Sequence, residues 1–551
     1  MTKAKWEHPY TYNQEYSKRT AYFCMEYGID QTLKIYSGGL GFLAGSHMRS
    51  AFDQRQNLIG IGMLWKYGYY DQQRNPDFTM SSTWIEKRYN FLEDTGIVVS
   101  VRIKNNHEVK VKAYLLKPEV FNTVPIYFLS TDLPENDHMS QTITHKLYDG
   151  NHVTRIAQSI VLGLGGAKVV EALGGADIYH INEGHALPVI SHLFKKHETL
   201  EEVRKRFVFT THTPELAGNE ERETGLLLNM GFFDGVENNP DVKALYENRH
   251  MVNYTLTALK TARIANGVSK IHAKVSQDMW SGNEGICSII PITNAQNAAY
   301  WQDRKTLKAF DEKNMQAYNR RKFYMKKRLF KYVSDETGKI FDPDILTMVW
   351  ARRFAGYKRA NLITRDYDRF RRLLEDTERP IQIIWAGKPY PLDQSGVDEF
   401  NELVWKIRDI PNCATLTGYE LHLSKLLKTG SDIWLNNPRI PREASGTSGM
   451  TAAMNGSVNF STWDGWIAEF ARDGENSFII PPVEDGLSVD EVDHRDQVHL
   501  MEVLEKDIIP TYYDQPERWH EIRTQAMIDV RPAFESDRMA DEYYRLLYNG
   551  E

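Results

Sequence analysis

Short apolar runs that end in polar or glycine-containing turns alternate with longer amphipathic segments, and this pattern constrains the fold most. Each run has the length of one strand, whereas the segments between them have helical periodicity. Such alternation predicts α/β architecture, with ligand-binding loops at the carboxyl ends of parallel strands. The predicted strands are Ala21–Met25, Val124–Leu129, Ala176–Ile181, Phe207–Thr210, Ile345–Ala351, Ile381–Ala386 and Ile433–Leu435.

The length of the chain predicts more than one domain. Its 551 residues exceed what one hydrophobic core usually serves, so two domains of about 200–300 residues are expected. The segments Ile156–Leu173, Ala186–Lys196 and Val252–Ala265 show helical periodicity, and the charged stretch Gln302–Tyr332 predicts a helical connector. We therefore predict two α/β domains that face each other across a cleft, with a further amphipathic helix over Arg538–Tyr548.

Composition argues against several classes of protein. A formal net charge of -7 argues against general affinity for nucleic acid, although a local basic groove is compatible with it. The sequence lacks about 18 uninterrupted apolar residues and an apolar signal-peptide core, which predicts a cytoplasmic protein without a membrane span. Three widely separated cysteines predict buried apolar side chains rather than a disulfide framework.

Two glycine- and histidine-containing motifs in the first half are candidates for ligand binding. The cluster Tyr36–Gly41 contains consecutive glycines, whose amides can approach an anion closely, although many such clusters are only tight turns. His180–His185 and Phe209–Pro214 lie at strand ends and contain His, Asn, Glu and Thr side chains suited to a polyhydroxylated ligand. We predict no metal site, because the histidines of His180–His185 would diverge on a sharp turn.

A basic turn follows one predicted strand of the second half. Trp350–Arg359 contains four cations, Arg352, Arg353, Lys358 and Arg359. Like charges repel, so this density predicts a bound anion, and arginine with lysine is the usual equipment for phosphate. A solvated basic turn is the alternative.

A second strand end carries Pro441–Asp464, in which Glu443 precedes a Gly/Ser/Thr turn and a predicted helix that starts near Met450. Backbone amides in such a turn favour a phosphate or a sugar oxygen. A carboxylate beside it can accept hydrogen bonds from sugar hydroxyls.

These segments, in this order, resemble the alpha-glucan (glycogen/starch) phosphorylases of glycosyltransferase family 35, especially their short bacterial and archaeal type. The motifs that carry the resemblance include SGGLGFLAGSH, HINEGHA, TTHTPELAG, ARRFAGYKR, AGKPYP and EASGTSGM. The resemblance implies a GT-B fold: two Rossmann-like domains around a deep cleft, with the last helix crossing back to the first domain. The implied domains are a glucan or acceptor domain over residues 1–300, a phosphate or donor domain over 301–530, and the returning helix over 531–551.

The resemblance also assigns roles to residues. Arg353 and Lys358 match a pair that clamps the substrate phosphate, and His212 matches a histidine that contacts the glucosyl unit. The implied substrate-binding residues are Gly38, Gly39, Asn294, Glu443, Ala444, Ser445 and Gly446, and the implied cofactor-binding residues are Arg352, Gly446, Thr447 and Thr451.

One departure from the family pattern lies at Thr451, where the family has the lysine that carries pyridoxal phosphate as a Schiff base. The resemblance therefore leaves three hypotheses. The chain could be an alpha-1,4-glucan phosphorylase that holds pyridoxal phosphate without a covalent bond at Thr451, or through a lysine from elsewhere. It could be a GT-B glucan synthase that uses a nucleotide sugar and no pyridoxal phosphate. It could also be a non-catalytic glucan-binding relative.

The expected partners follow from these hypotheses. They are an alpha-1,4-glucan or maltooligosaccharide, together with phosphate and glucose-1-phosphate or a nucleotide sugar. A homo-oligomer is compatible with the resemblance, since family members are often homodimers or larger.

Overall fold

The structure, a computed structural model, describes residues 6–550 and confirms the predicted α/β architecture. The described chain divides into two compact units. Unit 1 comprises residues 6–69, 84–294 and 536–550, and unit 2 comprises residues 70–83 and 295–535.

The strands occur where the apolar runs predict them. All seven predicted runs contain a strand. The strands of the described residues are β1 Thr20–Phe23, β2 Leu58–Met63, β3 Asp71–Arg74, β4 Met80–Thr83, β5 Glu93–Ile103, β6 His107–Leu116, β7 Ile126–Ser130, β8 Ile178–Asn182, β9 Phe207–Thr211, β10 Glu221–Glu223, β11 Met251–Asn253, β12 Ile264–Gly267, β13 Ser288–Pro291, β14 Leu346–Ala351, β15 Ile381–Ala386, β16 Cys413–Leu416, β17 Ile433–Asn436, β18 Val458–Ser461 and β19 Ser477–Ile479.

The α-helices lie between these strands and after the last of them. They are α1 Gly39–Asp53, α2 Pro118–Phe121, α3 His138–Thr142, α4 His152–Ile160, α5 Gly166–Ala172, α6 Val189–His197, α7 Leu200–Arg204, α8 Thr224–Met230, α9 Pro240–Tyr246, α10 Tyr254–Thr261, α11 Lys270–Trp280, α12 Ala298–Trp301, α13 Arg304–Asp311, α14 Met315–Thr337, α15 Tyr367–Glu375, α16 Gln394–Ile407, α17 Leu421–Gly430, α18 Ser448–Met454, α19 Ile467–Phe470, α20 Val489–Val503, α21 Ile509–Asp514, α22 Pro516–Phe534 and α23 Ser536–Glu542.

Unit 1 contains a nine-stranded sheet in the order β13-β12-β9-β8-β1-β2-β7-β6-β5. The pairs from β13 to β7 are parallel, whereas β6 pairs antiparallel with both β7 and β5. β1, β8 and β9 are buried along their whole length. Strands buried on both faces require helices on both sides, which explains why their sequences are mostly apolar.

Unit 2 contains a six-stranded parallel sheet in the order β16-β15-β14-β17-β18-β19. The chain runs outward from β14 to β16 and then returns beside β14 as β17. In an open parallel sheet such a reversal separates the two loops that follow the central strands, and ligands bind at that point. The loops after β14 and β17 are therefore the place to look for a site.

The predicted helix over Ile156–Leu173 is confirmed as a continuous helical stretch made of α4, a π-helical turn at Val161–Gly165, and α5. Among the described residues, the stretch His152–Ala172 is long and apolar enough to cross a membrane by composition. However, 83% of its most apolar 18-residue stretch is buried inside the fold. It is the core helix of a folded domain.

The prediction of one helix over Val252–Ala265 is wrong at both ends. Val252 pairs with Arg222 in the β10–β11 ribbon, and Ile264 pairs with Val208 in the main sheet of unit 1. Only α10, between these strands, is helical. Strand pairing with distant segments overrides the local helical pattern here.

The hairpin of β3 and β4 groups with unit 2, although the sequence places it in the N-terminal domain. Its side chains show why. Gln72 Nε2 donates to Gly387 O at 3.0 Å, and Tyr70 O–H donates to Pro389 O at 2.8 Å. The hairpin is anchored to the loop after β15 by bonds that no local pattern predicts.

The end of the chain groups with unit 1 from Ser536 onward, after α22 has ended in unit 2. Tyr16 O–H donates to Asp541 Oδ1 at 2.9 Å. Tyr548 O–H lies 2.7 Å from Nδ1 of His180, in the middle of β8. α23 and the following π-helical turn, Tyr543–Tyr548, thus complete the packing of unit 1.

Candidate active site

Two loops meet at the carboxyl edge of the unit 2 sheet, where β14 and β17 are neighbours. The loop over residues 352–359 follows β14 and contains the predicted basic turn. The loop over residues 437–447 follows β17 and leads into α18. Parallel neighbours end at the same edge, so residues far apart in sequence come into contact there.

Glu443 is the centre of this cluster. Lys358 Nζ donates to Glu443 Oε2 at 2.7 Å, and Arg352 Nη1 donates to the same oxygen at 3.2 Å. The Glu443 side chain is 10% exposed and that of Arg352 is 5% exposed. Burial alone would raise the pKa of Glu443, but the charges of Lys358 and Arg352 outweigh it and hold the pKa below its ordinary value. The carboxylate is therefore ionised and compensates two cations.

The other two cations of the basic turn differ from this pair. Arg359 is buried and donates to Asp493 Oδ1 at 3.0 Å and to Asp496 Oδ2 at 2.7 Å. Arg353 is exposed, and its charge also lowers the pKa of Glu443. The density of cations therefore does not require a bound anion at Arg359. Carboxylates from distant segments compensate Arg359, Arg352 and Lys358.

The turn that carries Glu443 is held by a second carboxylate, Asp464. The backbone N–H groups of Glu443 and Gly465 each donate to an Asp464 oxygen at 2.8 Å. Burial, with the nearby charge of Glu443, raises the pKa of Asp464 to about 7. Asp464 was missed as a candidate site residue, since its only sequence signal is that it follows a strand-like run.

The remaining predicted residues of this turn differ in exposure. Gly446 has a φ of +90°, a conformation that L side chains rarely adopt. Ala444 and Thr447 are half-buried. Ser445 is buried, and within residues 6–550 its Oγ has no hydrogen-bond partner; the same holds for Arg352 Nε. Buried donors with unused capacity beside an ion cluster are suited to an anionic ligand.

Thr451 lies inside α18 and is fully buried. Its Oγ1 donates to Ser448 O at 3.0 Å, so the hydroxyl is satisfied by its own helix. Asn455, one turn later, donates from Nδ2 to Thr451 O at 2.7 Å and to Trp301 O at 3.1 Å. The helix thus provides no amine at position 451.

The glycine-rich loop of unit 1 is organised by Glu26, a residue that the sequence analysis missed. Glu26 Oε2 accepts from the backbone N–H of Ser37 at 2.6 Å and of Gly38 at 3.2 Å, and Glu26 Oε1 accepts from Tyr148 O–H at 2.7 Å. Gly38 caps α1 and Gly39 begins it, and a Cβ at either glycine would meet no atom within 4 Å. The space beside both glycines is open, but the Gly38 amide is already bonded. Glu26 lies three residues after the end of β1, and that position was its only signal in the sequence.

His212 follows β9 and is oriented by two neighbours at the end of β8. Its Nε2 lies 2.6 Å from Asn182 Oδ1, and its backbone N–H donates to Glu183 Oε2 at 2.8 Å. Burial lowers the pKa of His212 to about 3, so the ring is neutral near pH 7. A neutral ring can hydrogen-bond a sugar but carries no charge to the site.

Asn294 is buried in the segment after β13, and its backbone N–H donates to Val268 O at 3.0 Å. Its Oδ1 has no hydrogen-bond partner among the described residues. The predicted residues thus fall into two sets: Gly38, Gly39, His212 and Asn294 belong to unit 1, and those from Arg352 to Thr451 belong to unit 2. In the part of the chain that the structure describes, no group of three or more His, Cys, Asp or Glu side chains is arranged to hold a metal ion.

Comparison with known proteins places this site in a family. The family model for carbohydrate phosphorylases matches residues 279–507. A maltodextrin phosphorylase of Thermococcus litoralis is 32% identical, over 99% of this chain and 71% of its own length. The chain belongs to the carbohydrate phosphorylase family.

Other relatives extend over nearly the whole chain. A glycogen phosphorylase of Aquifex aeolicus is 30% identical over 98% of this chain and 87% of its own length. An uncharacterized protein of Methanocaldococcus jannaschii is 47% identical over 96% of this chain and its own full length. The resemblance stated from the motifs is confirmed, and the two Rossmann-like units are those of the GT-B phosphorylase fold.

Phosphorylases usually bind pyridoxal phosphate, and the residues at this site fit one end of that molecule. Its phosphate needs cations and free donors, which Lys358 and Arg352, with its unused Nε, supply. Its aldehyde needs an amine for a covalent bond, and Thr451 has none. The site therefore fits a bound pyridoxal phosphate that has no covalent bond at position 451.

Proposed function

We propose that the protein is a retaining alpha-1,4-glucan phosphorylase-like glucosyltransferase. It would transfer glucosyl units between glycogen or maltodextrins and phosphate, with glucose-1-phosphate as the other product. The observation that carries this proposal is the ion cluster of Glu443, Lys358 and Arg352 at the carboxyl edge of the unit 2 sheet. Relationship to maltodextrin and glycogen phosphorylases over nearly the whole chain supports it.

The two cations are arranged to exchange one anionic partner for another. Lys358 and Arg352 share one carboxylate oxygen, Glu443 Oε2. A phosphate dianion brings more charge and more acceptor oxygens than this single atom, so the cations can turn to it while Glu443 accepts bonds from sugar hydroxyls. Positive groups already in place would stabilise the charge that develops on phosphate as the glycosidic bond breaks.

The remaining candidates have supporting roles in this proposal. Arg353, which is exposed, would complete the clamp on the substrate phosphate. His212, which is neutral, would contact the glucosyl unit without exchanging a proton. Gly38, Gly39, Asn294, Ala444 and Ser445 would hold the phosphate and the sugar through amides and polar side chains.

Pyridoxal phosphate, when bound, supplies a phosphate that relays a proton to the substrate phosphate. Arg352, Gly446 and Thr447 would hold that phosphate. The protein's own residues would keep the two phosphates together, since each anion needs positive charge beside it.

The test is phosphorolysis itself. Maltoheptaose and inorganic phosphate should yield glucose-1-phosphate, and the yield should rise when pyridoxal phosphate is added. The reverse reaction should release phosphate from glucose-1-phosphate. A protein that binds maltoheptaose but makes no product in either direction would refute the proposal and favour a glucan-binding role.

A second function is favoured by one observation, the buried Thr451 that offers no amine to pyridoxal phosphate. A nucleotide-sugar glucan synthase needs no such amine, and its donor phosphate would bind the same Lys358 and Arg352. Incubation with UDP-glucose or ADP-glucose and maltoheptaose tests it. Elongation of the acceptor with release of nucleotide would replace the phosphorylase proposal.

A further inference from the structure

Two lysines on α17 place their side-chain nitrogens against aromatic rings of α12. Lys428 Nζ lies 3.8 Å from the ring centroid of Trp301, and Lys425 Nζ lies 3.3 Å from that of Tyr300. Lys428 is 2% exposed, whereas Lys425 is half-buried. A lysine this buried is rare unless it is paired, and here the side chain packs against an aromatic ring.

Trp301, whose ring Lys428 contacts, is linked by hydrogen bonds to the helix that contains Thr451. Trp301 O accepts from Asn455 Nδ2, which also donates to Thr451 O. Both α12 and α17 pack against α18. Lys428 therefore lies in the same helical layer as the position where the family is expected to have its lysine.

The depths of the two positions can be compared along the axes of their helices. α17 and α18 each follow a parallel strand, so both helices begin at the carboxyl edge of the sheet. Thr451 is three residues into α18, a depth of about 4.5 Å, and Lys428 is seven residues into α17, a depth of about 10.5 Å. A helical side chain leans toward the N-terminus of its helix, and a lysine stem can carry Nζ back by about one turn, 5.4 Å. Lys428 Nζ can thus reach the level of Thr451.

The geometry points to Lys428 as the amine that forms a covalent bond with pyridoxal phosphate in this protein. The inference rests on the proposed function and names the residue that ties the cofactor to the site. Its neutral Nζ would attack the aldehyde carbon, and both N–H hydrogens would leave with the aldehyde oxygen as water, so a C=N bond remains. Burial, and then the charge of Lys425, lower the pKa of Lys428 well below its ordinary value, which favours the neutral, nucleophilic amine.

Borohydride trapping tests this assignment. The full-length protein is incubated with equimolar pyridoxal phosphate, reduced with borohydride, digested and mapped by mass spectrometry. We expect nearly stoichiometric labelling of Lys428 and an imine absorbance band that Lys428→Arg lowers at least tenfold. The matched control, Lys331→Arg on α14, changes an exposed lysine of the same unit and should leave both signals unchanged.

A second variant keeps the test decisive if Lys428→Arg is unstable. In Lys428→Arg/Thr451→Lys the label should move to position 451, because the phosphate end of the site is intact. Three outcomes would overturn the inference. They are a label on Lys425 or on the buried Lys322 instead of Lys428, equal labelling of native and denatured protein, and no label at all.

Activity is measured separately, so the two proposals can fail independently. Phosphorolysis without a label on Lys428 would remove this inference and leave the function standing. A label on Lys428 in a protein that makes no glucose-1-phosphate would remove the proposed function and leave the assignment of Lys428 standing.

Discussion

Replacing Glu443 by glutamine is the sharpest perturbation of the proposed site, because it removes the one charge that compensates two cations. The pairs of 2.7 Å with Lys358 and 3.2 Å with Arg352 correspond to about 6 and about 5 kcal/mol of Coulomb attraction at an effective dielectric constant of about 20. Desolvation offsets most of this attraction. Breaking a buried pair at one partner destabilises by about 3–5 kcal/mol, since an uncompensated charge is left behind.

We therefore expect Glu443→Gln to lower the free energy of unfolding by about 3 kcal/mol or more, measured by urea denaturation. Inorganic phosphate should restore part of that loss, because it replaces the missing anion; a concentration 100 times the Kd adds about 2.7 kcal/mol. Under the proposed function, phosphorolysis should fall by about two to three orders of magnitude, since glutamine would bind the sugar hydroxyls less strongly than the Glu443 carboxylate at the reacting centre.

The matched control is Glu475→Gln, which removes a carboxylate from an exposed pair with Arg472. Exposed pairs contribute about 0–1 kcal/mol, so this variant should unfold almost as the wild type does. The double variant Lys358→Met/Glu443→Gln should be more stable than the sum of the two single losses in the free energy of unfolding predicts. The reasoning is refuted if Glu443→Gln costs no more than Glu475→Gln, or if phosphate stabilises the variant no more than the wild type.

Three further predictions concern neighbouring charges. The raised pKa of Asp464 makes the native state bind a proton more tightly than the unfolded state, so the contribution of Asp464 to stability is lost as pH rises from about 4 to about 7. In urea unfolding, the stability of Asp464→Asn should therefore decline less with pH over that window than the stability of the wild type does. Identical slopes would contradict this prediction. Arg359→Met should lose about 3–5 kcal/mol of stability because it leaves the buried Asp496 without Arg359, although Asp493 keeps its pair with Arg439. Arg353→Met should unfold normally yet raise the KM for phosphate about tenfold or more, and reversed effects would exchange the two roles. His212→Asn should lower kcat without changing the shape of the pH–rate profile, since the ring is neutral above about pH 3; loss of a limb between pH 5 and 8 would show that His212 titrates in the reaction.

Several features of the site were predictable and several were not. Glu443, Lys358 and Arg352 were expected from strand-end motifs, and the structure brings them within hydrogen-bonding distance. Arg359 shares the same motif but binds Asp493 and Asp496, which are more than 130 positions later in the chain. A local cluster of like charges shows that compensation is needed, but it does not show whether a ligand or a distant carboxylate provides it.

Buried residues that act through the backbone were the hardest to find. Asp464 and Glu26 each accept from two backbone N–H groups, one pair in the turn at Glu443 and the other in the glycine-rich loop. A single carboxylate after a strand has many explanations in sequence. Its partners are backbone N–H groups, which nearly every residue has, so they leave no pattern in the amino-acid sequence.

The sequence by itself determined the alternation of strands and helices, the family, and which strand ends carry chemistry, because periodicity and strand-end motifs are local properties of a chain. Only the tertiary structure decided how charge is distributed among the cations, why the hairpin of β3 and β4 groups with unit 2, and that Lys428 lies in the helical layer of Thr451. Those outcomes depend on which distant segments share an edge or a layer, and that is set by the packing of the whole sheet.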